Sequence, residues 1–179
     1  MFIKLNSIYD YISAFAVLVN IFIIYSLDVV LMTGLVISIF FHDFIKEVTT
    51  GWYAPIFKRP NGATNCSLFN SGGLVDHKSG FPSGHVTAIS FLMNIWLFRN
   101  GNKNDWKTYL MYNIPIMLMG YARIMKGCHN FIQVVAGYLL GYGVASIVFM
   151  YEDKIKRYLS QITQFFQSLS VKIREIKYK

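Results

Sequence analysis

Five long apolar segments constrain this chain more than any other feature. They run Ile8–Leu27, Val29–Ile45, Val86–Phe98, Tyr109–Tyr121 and Phe131–Tyr151. A helix needs about 20 apolar residues to cross a bilayer's hydrocarbon core. The third and fourth segments are shorter than that, but neutral polar residues at their ends extend them. Hydrophobic residues make up 54% of the sequence, more than a soluble domain of this size needs to bury. The pattern predicts an all-α fold: a polytopic transmembrane helical bundle of about five spans. Only Lys4 precedes the first run and no small-residue cleavage site follows it, so it reads as a retained span rather than a removed signal peptide.

Between the second and third runs lies a polar stretch, Lys46 to His85, rich in glycine and proline. Such density marks loop rather than long helix, and so long a loop in a compact domain is usually functional. Following the chain back and forth across the membrane places this loop and the Arg123–His129 segment on one face. The opposite face carries Arg99, Lys103, Lys107 and the basic tail. The excess of lysine and arginine there predicts that the tail side is cytoplasmic and that the loop faces the lumenal or extracytoplasmic side.

Residues 1–150 read as the membrane-embedded domain and 151–179 as a basic C-terminal tail. In the tail, Ile155, Leu159, Ile162, Phe166, Leu169, Ile173 and Ile176 recur with helical spacing among basic residues. That is the signature of an amphipathic helix lying on an anionic leaflet. The net charge of +8 would also suit a nucleic-acid binder. However, the cations flank apolar runs and no nucleic-acid-binding motif is present, so bilayer and lipid are the expected partners. Cys66 and Cys128 form neither a CxxC pair nor a disulfide framework. Two free or buried thiols are the simpler expectation; a single bridge stays open because both fall on the same face.

Three clusters carry candidate chemistry. The first is Lys58-Arg59-Pro60. The second is Gly80-Phe81-Pro82-Ser83-Gly84-His85, at the mouth of a span. The third is Arg123 with His129, ahead of the next span. Ser83 is placed to cap a helix whose first N–H groups, Gly84 included, would bind an anion. Two guanidinium groups suit the oxygens of a phosphate, and two histidines supply a nucleophile and a proton donor.

The order Arg-Pro, then Pro-Ser-Gly-His, then Arg-x5-His resembles the three signature segments of the type 2 phosphatidic acid phosphatase superfamily, over Lys46 to about Gly141. The stretches around Arg59-Pro60-Asn61-Gly62, Asn65-Cys66 and His129 to Val134 look most like its dolichyl diphosphatase branch. The resemblance implies a lipid phosphatase or diphosphatase with no cofactor and no metal, acting on a polyisoprenyl diphosphate or, alternatively, on phosphatidic acid. His129 would match the nucleophile and carry a transient phosphohistidine, and His85 would match the general acid. Arg59, Arg123, Ser83 and the Gly84 amide would hold the phosphoryl oxygens.

Two departures stand out. The family's aspartate four residues after the nucleophile is Gln133 here. Its amide oxygen can accept from the imidazole and fix the tautomer, but it supplies no charge. The family's lysine, seven residues before the arginine, is Trp52 here, leaving Lys46 or Lys58 as the extra cation. The chain also shows one span fewer than the six usual in the family. These departures keep open a catalytically inactive lipid-binding protein of the same fold. His42, Asp43 and His77 join His85 and His129 as conceivable metal ligands, but no ligand spacing supports a metal site. Asn65-Cys66-Ser67 matches a glycosylation acceptor inside the loop of the suspected site, where a glycan would obstruct access.

Overall fold

The computed structural model describes residues 8–52, 54–67, 72–75, 78–101 and 105–177. Lys4, His77, Lys103 and Lys179 lie outside these residues, as do the side chains from Leu169 onward. The chain forms two compact units, Met1–Phe149 and Met150–Lys179.

Within the described residues there are six helices and no strand: α1 (Ile8–Tyr25), α2 (Val29–Thr49), α3 (Gly84–Asn100), α4 (Trp106–Met125), α5 (Phe131–Met150) and α6 (Glu152–Lys177). α1, α2 and α5 are long and apolar enough to cross a membrane. α3 and α4 do not meet that measure. α3 is short, at 17 residues, and its position explains its polar content. Ten of its residues are buried, polar Thr87, Ser90 and Asn94 among them, so protein rather than lipid surrounds it. α4 contains Asn113, Pro115 and Arg123, which lower its hydropathy.

α2 runs past the apolar segment to Thr49, so Lys46 sits in its last turn rather than in the loop. Local chemistry sets the helix starts. Asp28 caps α2, its Oδ1 accepting from the Val30 and Leu31 amides at 3.0 and 3.1 Å. Its Oδ2 accepts from Arg99 at 2.7 Å, which ties the far end of α3 to the start of α2. Asp105 caps α4 in the same manner.

Glycines let the helices approach closely. A Cβ on Gly141 of α5 would lie 2.4 Å from the Thr87 carbonyl of α3, and one on Gly137 would lie 2.6 Å from the Ser83 carbonyl. Small residues four apart on α5 therefore form a seam against α3. Ser90 Oγ donates to the Tyr138 carbonyl across that seam at 2.8 Å. Away from the interior, Val36, Phe40, Phe44, Met117, Leu118, Leu139 and Ile147 are exposed. An apolar exterior over a polar-seamed interior is the arrangement lipid selects.

The loop between α2 and α3 folds back on itself. Isolated antiparallel bridges join Lys58 to Ser79 and Thr64 to Leu74. Buried Thr49 Oγ1 and Ser79 Oγ lie 2.9 Å apart and pin the loop to α2. Cys66 and Cys128 form a disulfide with Cα atoms 5.5 Å apart, which corrects the expectation of two free thiols. The residues are 62 apart in sequence, and only the folded loop brings them together. Closing a loop of that length stabilises by about 4 kcal/mol in the chain-entropy account. Replacing both cysteines by serine is therefore expected to lower the unfolding free energy by about 2–4 kcal/mol, read by thermal unfolding in detergent.

α6, described by itself, exposes Tyr158, Ile162, Phe165 and Phe166. A Glu152–Lys156 ion pair of 2.7 Å stabilises its first turn.

Candidate active site

The C-terminal ends of α2 and α4 and the N-terminal ends of α3 and α5 gather at one end of the bundle. The Ser83 amide donates to the Gln133 carbonyl at 3.0 Å, joining the starts of α3 and α5. The turn after α4 closes on Arg123, whose carbonyl accepts from the Cys128 and His129 amides at 3.1 and 3.3 Å.

These ends enclose a cavity of about 330 Å³. His42 and Lys46 of α2, Arg59, Cys66 and Ser67 of the loop, Gly84 and His85 of α3, and His129 form its polar wall. Asn20, Leu35, Ile39 and Ala88 form the rest. Both histidines of the second and third clusters therefore line one cavity. A larger pocket of about 430 Å³ between α4 and α5 is lined almost wholly by apolar residues and has no histidine, lysine or arginine in its wall, whereas three histidines, Lys46 and Arg59 line the smaller one.

His129 is 3% exposed. Its Nδ1 lies 2.9 Å from the Gly80 carbonyl and 3.1 Å from Gln133 Oε1. Both are acceptors, so Nδ1 carries the proton and Nε2 keeps its lone pair. The orientation of Gln133 follows from its own partners. Its Nε2 donates to the Ile56 and Lys58 carbonyls at 3.0 and 2.7 Å, which leaves Oε1 for the histidine. Oε1 also accepts from the Asn130 amide, while Asn130 Oδ1 accepts from the Gln133 amide. The pair is a capping box at the start of α5. Burial lowers the His129 pKa well below the ordinary 6.5, and Arg123, Arg59 and His85 lower it further; the Gln133 hydrogen bond opposes them. Burial and the neighbouring cations therefore favour the neutral imidazole over the imidazolium.

The cations divide by role. Arg59 lines the cavity, and its Nη1 donates to the Cys128 carbonyl at 3.1 Å. Lys46 lines it too, whereas the Lys58 side chain is not part of the wall. Arg123 is fully buried behind the cavity, donating to Ser13 Oγ at 3.2 Å and to the Cys66 carbonyl at 2.6 Å. Ser83 occupies the cap position of α3, but its hydroxyl makes no capping bond, a correction to the expected side-chain cap. Its Oγ joins His85 Nε2, Arg59 Nε and Arg123 Nε as buried polar atoms that find no hydrogen-bond partner among the described residues. Buried polar atoms are nearly always paired, so a concentration of exceptions around one cavity marks a binding site for a polar ligand. Three of these four side chains bear donors suited to an anion. Among the described residues, no three His, Cys, Asp or Glu side chains come close enough to hold a metal ion.

The model of the PAP2 superfamily matches residues 27–157. The chain belongs to the PAP2 superfamily. Members of this superfamily are phosphatases acting on lipid phosphates. No curated protein and no solved structure matches the chain. The PAP2 match spans α2 to the start of α6 and so contains every polar residue of the cavity except Asn20.

His42, Asn20 and Ser67 line the cavity but belong to none of the three sequence clusters, and His42 is the one among them with a titratable side chain. Its signal was present: a polar His-Asp pair inside an apolar helix, one turn before Lys46. Asn65, in the glycosylation pattern, has its Oδ1 engaged by the Gly73 amide at 3.1 Å.

Changing Gln133→Glu keeps an acceptor for His129 but removes the donors to Ile56 and Lys58. A carboxylate beside Nδ1 favours the imidazolium, so the His129 pKa is expected to rise, read from imidazole ¹⁵N shifts. Stability is expected to fall by about 1–3 kcal/mol for each carbonyl left without its donor.

Proposed function

We propose that this chain is a metal-independent membrane diphosphatase that hydrolyses a polyisoprenyl diphosphate through a phosphohistidine at His129. The observation that carries this reading is the placement of His129: its Nδ1 faces the acceptors of Gly80 and Gln133, which leaves Nε2 for a cavity walled by Arg59, Lys46 and His85.

In the first step Nε2 attacks the terminal phosphorus, and the bond to the leaving oxygen breaks in line. The anionic substrate holds a proton on His85, which gives it to that oxygen and, then neutral, takes a proton from the water that cleaves the phosphohistidine. Arg59, Lys46, the Ser83 hydroxyl and the Gly84 amide hold the phosphoryl oxygens. Arg123 stands behind them, adding positive field and fixing the Cys66 carbonyl. Nothing but electrostatics and positioning is required of these groups.

All of α1–α5 cross the bilayer in this reading. α3 does so inside a sleeve of the other helices, α4 with Met117 and Leu118 turned to lipid, and α6 lies on the anionic leaflet. The cavity end faces the extracytoplasmic or lumenal side. The basic residues Arg99 and Lys107 at the opposite end support this. So does the Cys66–Cys128 disulfide beside the cavity, since such bonds persist in oxidising compartments. The choice of an isoprenoid diphosphate over phosphatidic acid rests on the branch resemblance.

A second reading, a catalytically inactive lipid binder, is favoured by Gln133, which gives the imidazolium no charged partner. One experiment separates the two. Acid-unstable, base-stable phosphate is expected on His129 after rapid quench with labelled substrate, and the inactive protein would form none. His129→Ala is expected to abolish phosphate release, and Arg59→Ala to lower kcat about 10²–10³-fold, as for loss of one oxyanion donor. Release is expected to be indifferent to chelator. Turnover by the His129→Ala protein would overturn the mechanism.

A further inference from the structure

α2 delivers a third imidazole to the cavity. His42 lies one turn before Lys46, so both project to the same side, and both line the wall. His42 Nδ1 lies 2.9 Å from Asp43 Oδ1, so Nδ1–H donates to the carboxylate. Nε2 is shielded from solvent and makes no close hydrogen bond among the described residues, although the Pro82 carbonyl lies near the ring. It reaches the start of α3: a Cβ added to Gly84 would lie only 2.8 Å from it. Glycine is what allows the ring to stand against the amide end of that helix.

The order of residues along α2 gives His42 its place. Lys46 comes at the polar end, then His42, then Ile39 and Leu35 about one and two turns deeper. On α3 the same descent runs from Gly84 and His85 to Ala88. A lipid whose terminal phosphate meets His129 and whose tail follows Ile39, Ala88 and Leu35 must pass its linking group by His42. In a lipid diphosphate that group is the inner phosphate.

We propose that His42, backed by Asp43, is a specificity-determining residue that holds the inner phosphate of a lipid diphosphate. The proposal rests on the phosphohistidine reading above and names the part of the substrate that reading leaves without a partner. When His129 Nε2 bonds to the outer phosphorus, the bridging P–O bond breaks. Its electron pair stays on the bridging oxygen, which becomes a terminal oxygen of the departing lipid monophosphate. His42 Nε2 and the inner phosphate share one proton. Asp43 at Nδ1 offsets the charge when that proton sits on the ring. When the substrate is instead a lipid monophosphate, the leaving group is an alcohol and offers His42 no such anion, so the contact favours diphosphates over monophosphates with the same tail.

The test compares farnesyl diphosphate with farnesyl monophosphate, using the purified full chain in detergent. His42→Leu is expected to lower the diphosphate-to-monophosphate ratio of kcat/KM about tenfold or more, the scale of a lost hydrogen bond to a charged group. His42→Gln, whose amide can reach the Nε2 position, is expected to restore part of that ratio. Asp43→Asn alters an exposed side chain that does not line the cavity, so it tests the idea in a fold left intact, and a smaller drop in the same ratio is expected. Equal losses on both substrates, or an unchanged ratio in the His42→Leu and Asp43→Asn proteins, would overturn the role of His42 while leaving the phosphatase reading in place. A wild-type chain that releases phosphate from neither compound overturns that parent reading, and this one with it.

Discussion

The site depends on the hydrogen bonds of one buried amide. Gln133 joins four separate pieces of the chain. Its Nε2 holds two loop carbonyls, Oε1 meets His129 and caps the first turn of α5, and its carbonyl receives the amide at the start of α3. A carboxylate in this place could orient the histidine and cap the helix, but it could not grip the loop that carries Arg59. The departure from the aspartate that the resemblance implies therefore has a structural rationale: charge beside His129 is exchanged for a donor pair that locks the loop carrying Arg59. Because the amide is fully buried, every partner it loses leaves a polar group facing protein instead of water, and that cost keeps the arrangement rigid.

The same logic organises the bundle. α3 is the hub, and its neighbours come close to it where they carry glycine: Gly34 on α2 against Phe91, Gly141 on α5 against the Thr87 carbonyl. In a bilayer, apolar side chains have no preference for protein over lipid, so close backbone contact and buried hydrogen bonds must hold the helices together. The fully buried Arg123 and the Lys126–Asp10 ion pair of 2.7 Å attach α1 to the end of α4 by charge.

Much of this was legible in the residues. Apolar runs gave the helices their approximate bounds, because lipid-facing helices need length and little else. The Arg-Pro, Pro-Ser-Gly-His and Arg-x5-His segments placed the cavity at one end because each adjoins a helix terminus. What escaped has physical reasons. α3 reads as short because a helix wrapped in protein has no need of lipid-grade hydropathy. The disulfide stayed the lesser of two readings, because its ends share a face but are brought together by loop backbone bonds such as Val75 to Ala63, which no periodicity reports. The choice between Lys46 and Lys58 depended on whether α2 continued to Thr49, and helix ends are the least readable feature of a sequence. The Asn130–Gln133 capping box was legible but overshadowed by the adjacent histidine.

The cavity's apolar wall, descending along α2 from Ile39 to Leu35, has a kinetic consequence. Under the proposed function, a lipid substrate seated against it keeps its hydrocarbon chain at the depth it already occupied among other lipids. Its encounter with the protein is then a search in two dimensions. Occupancy follows the mole fraction of ligand in the surrounding leaflet, and dilution with inert amphiphile slows the reaction even when molarity in the tube is unchanged. For a protein built this way, the composition of the bilayer acts as the solvent and sets the rate of supply.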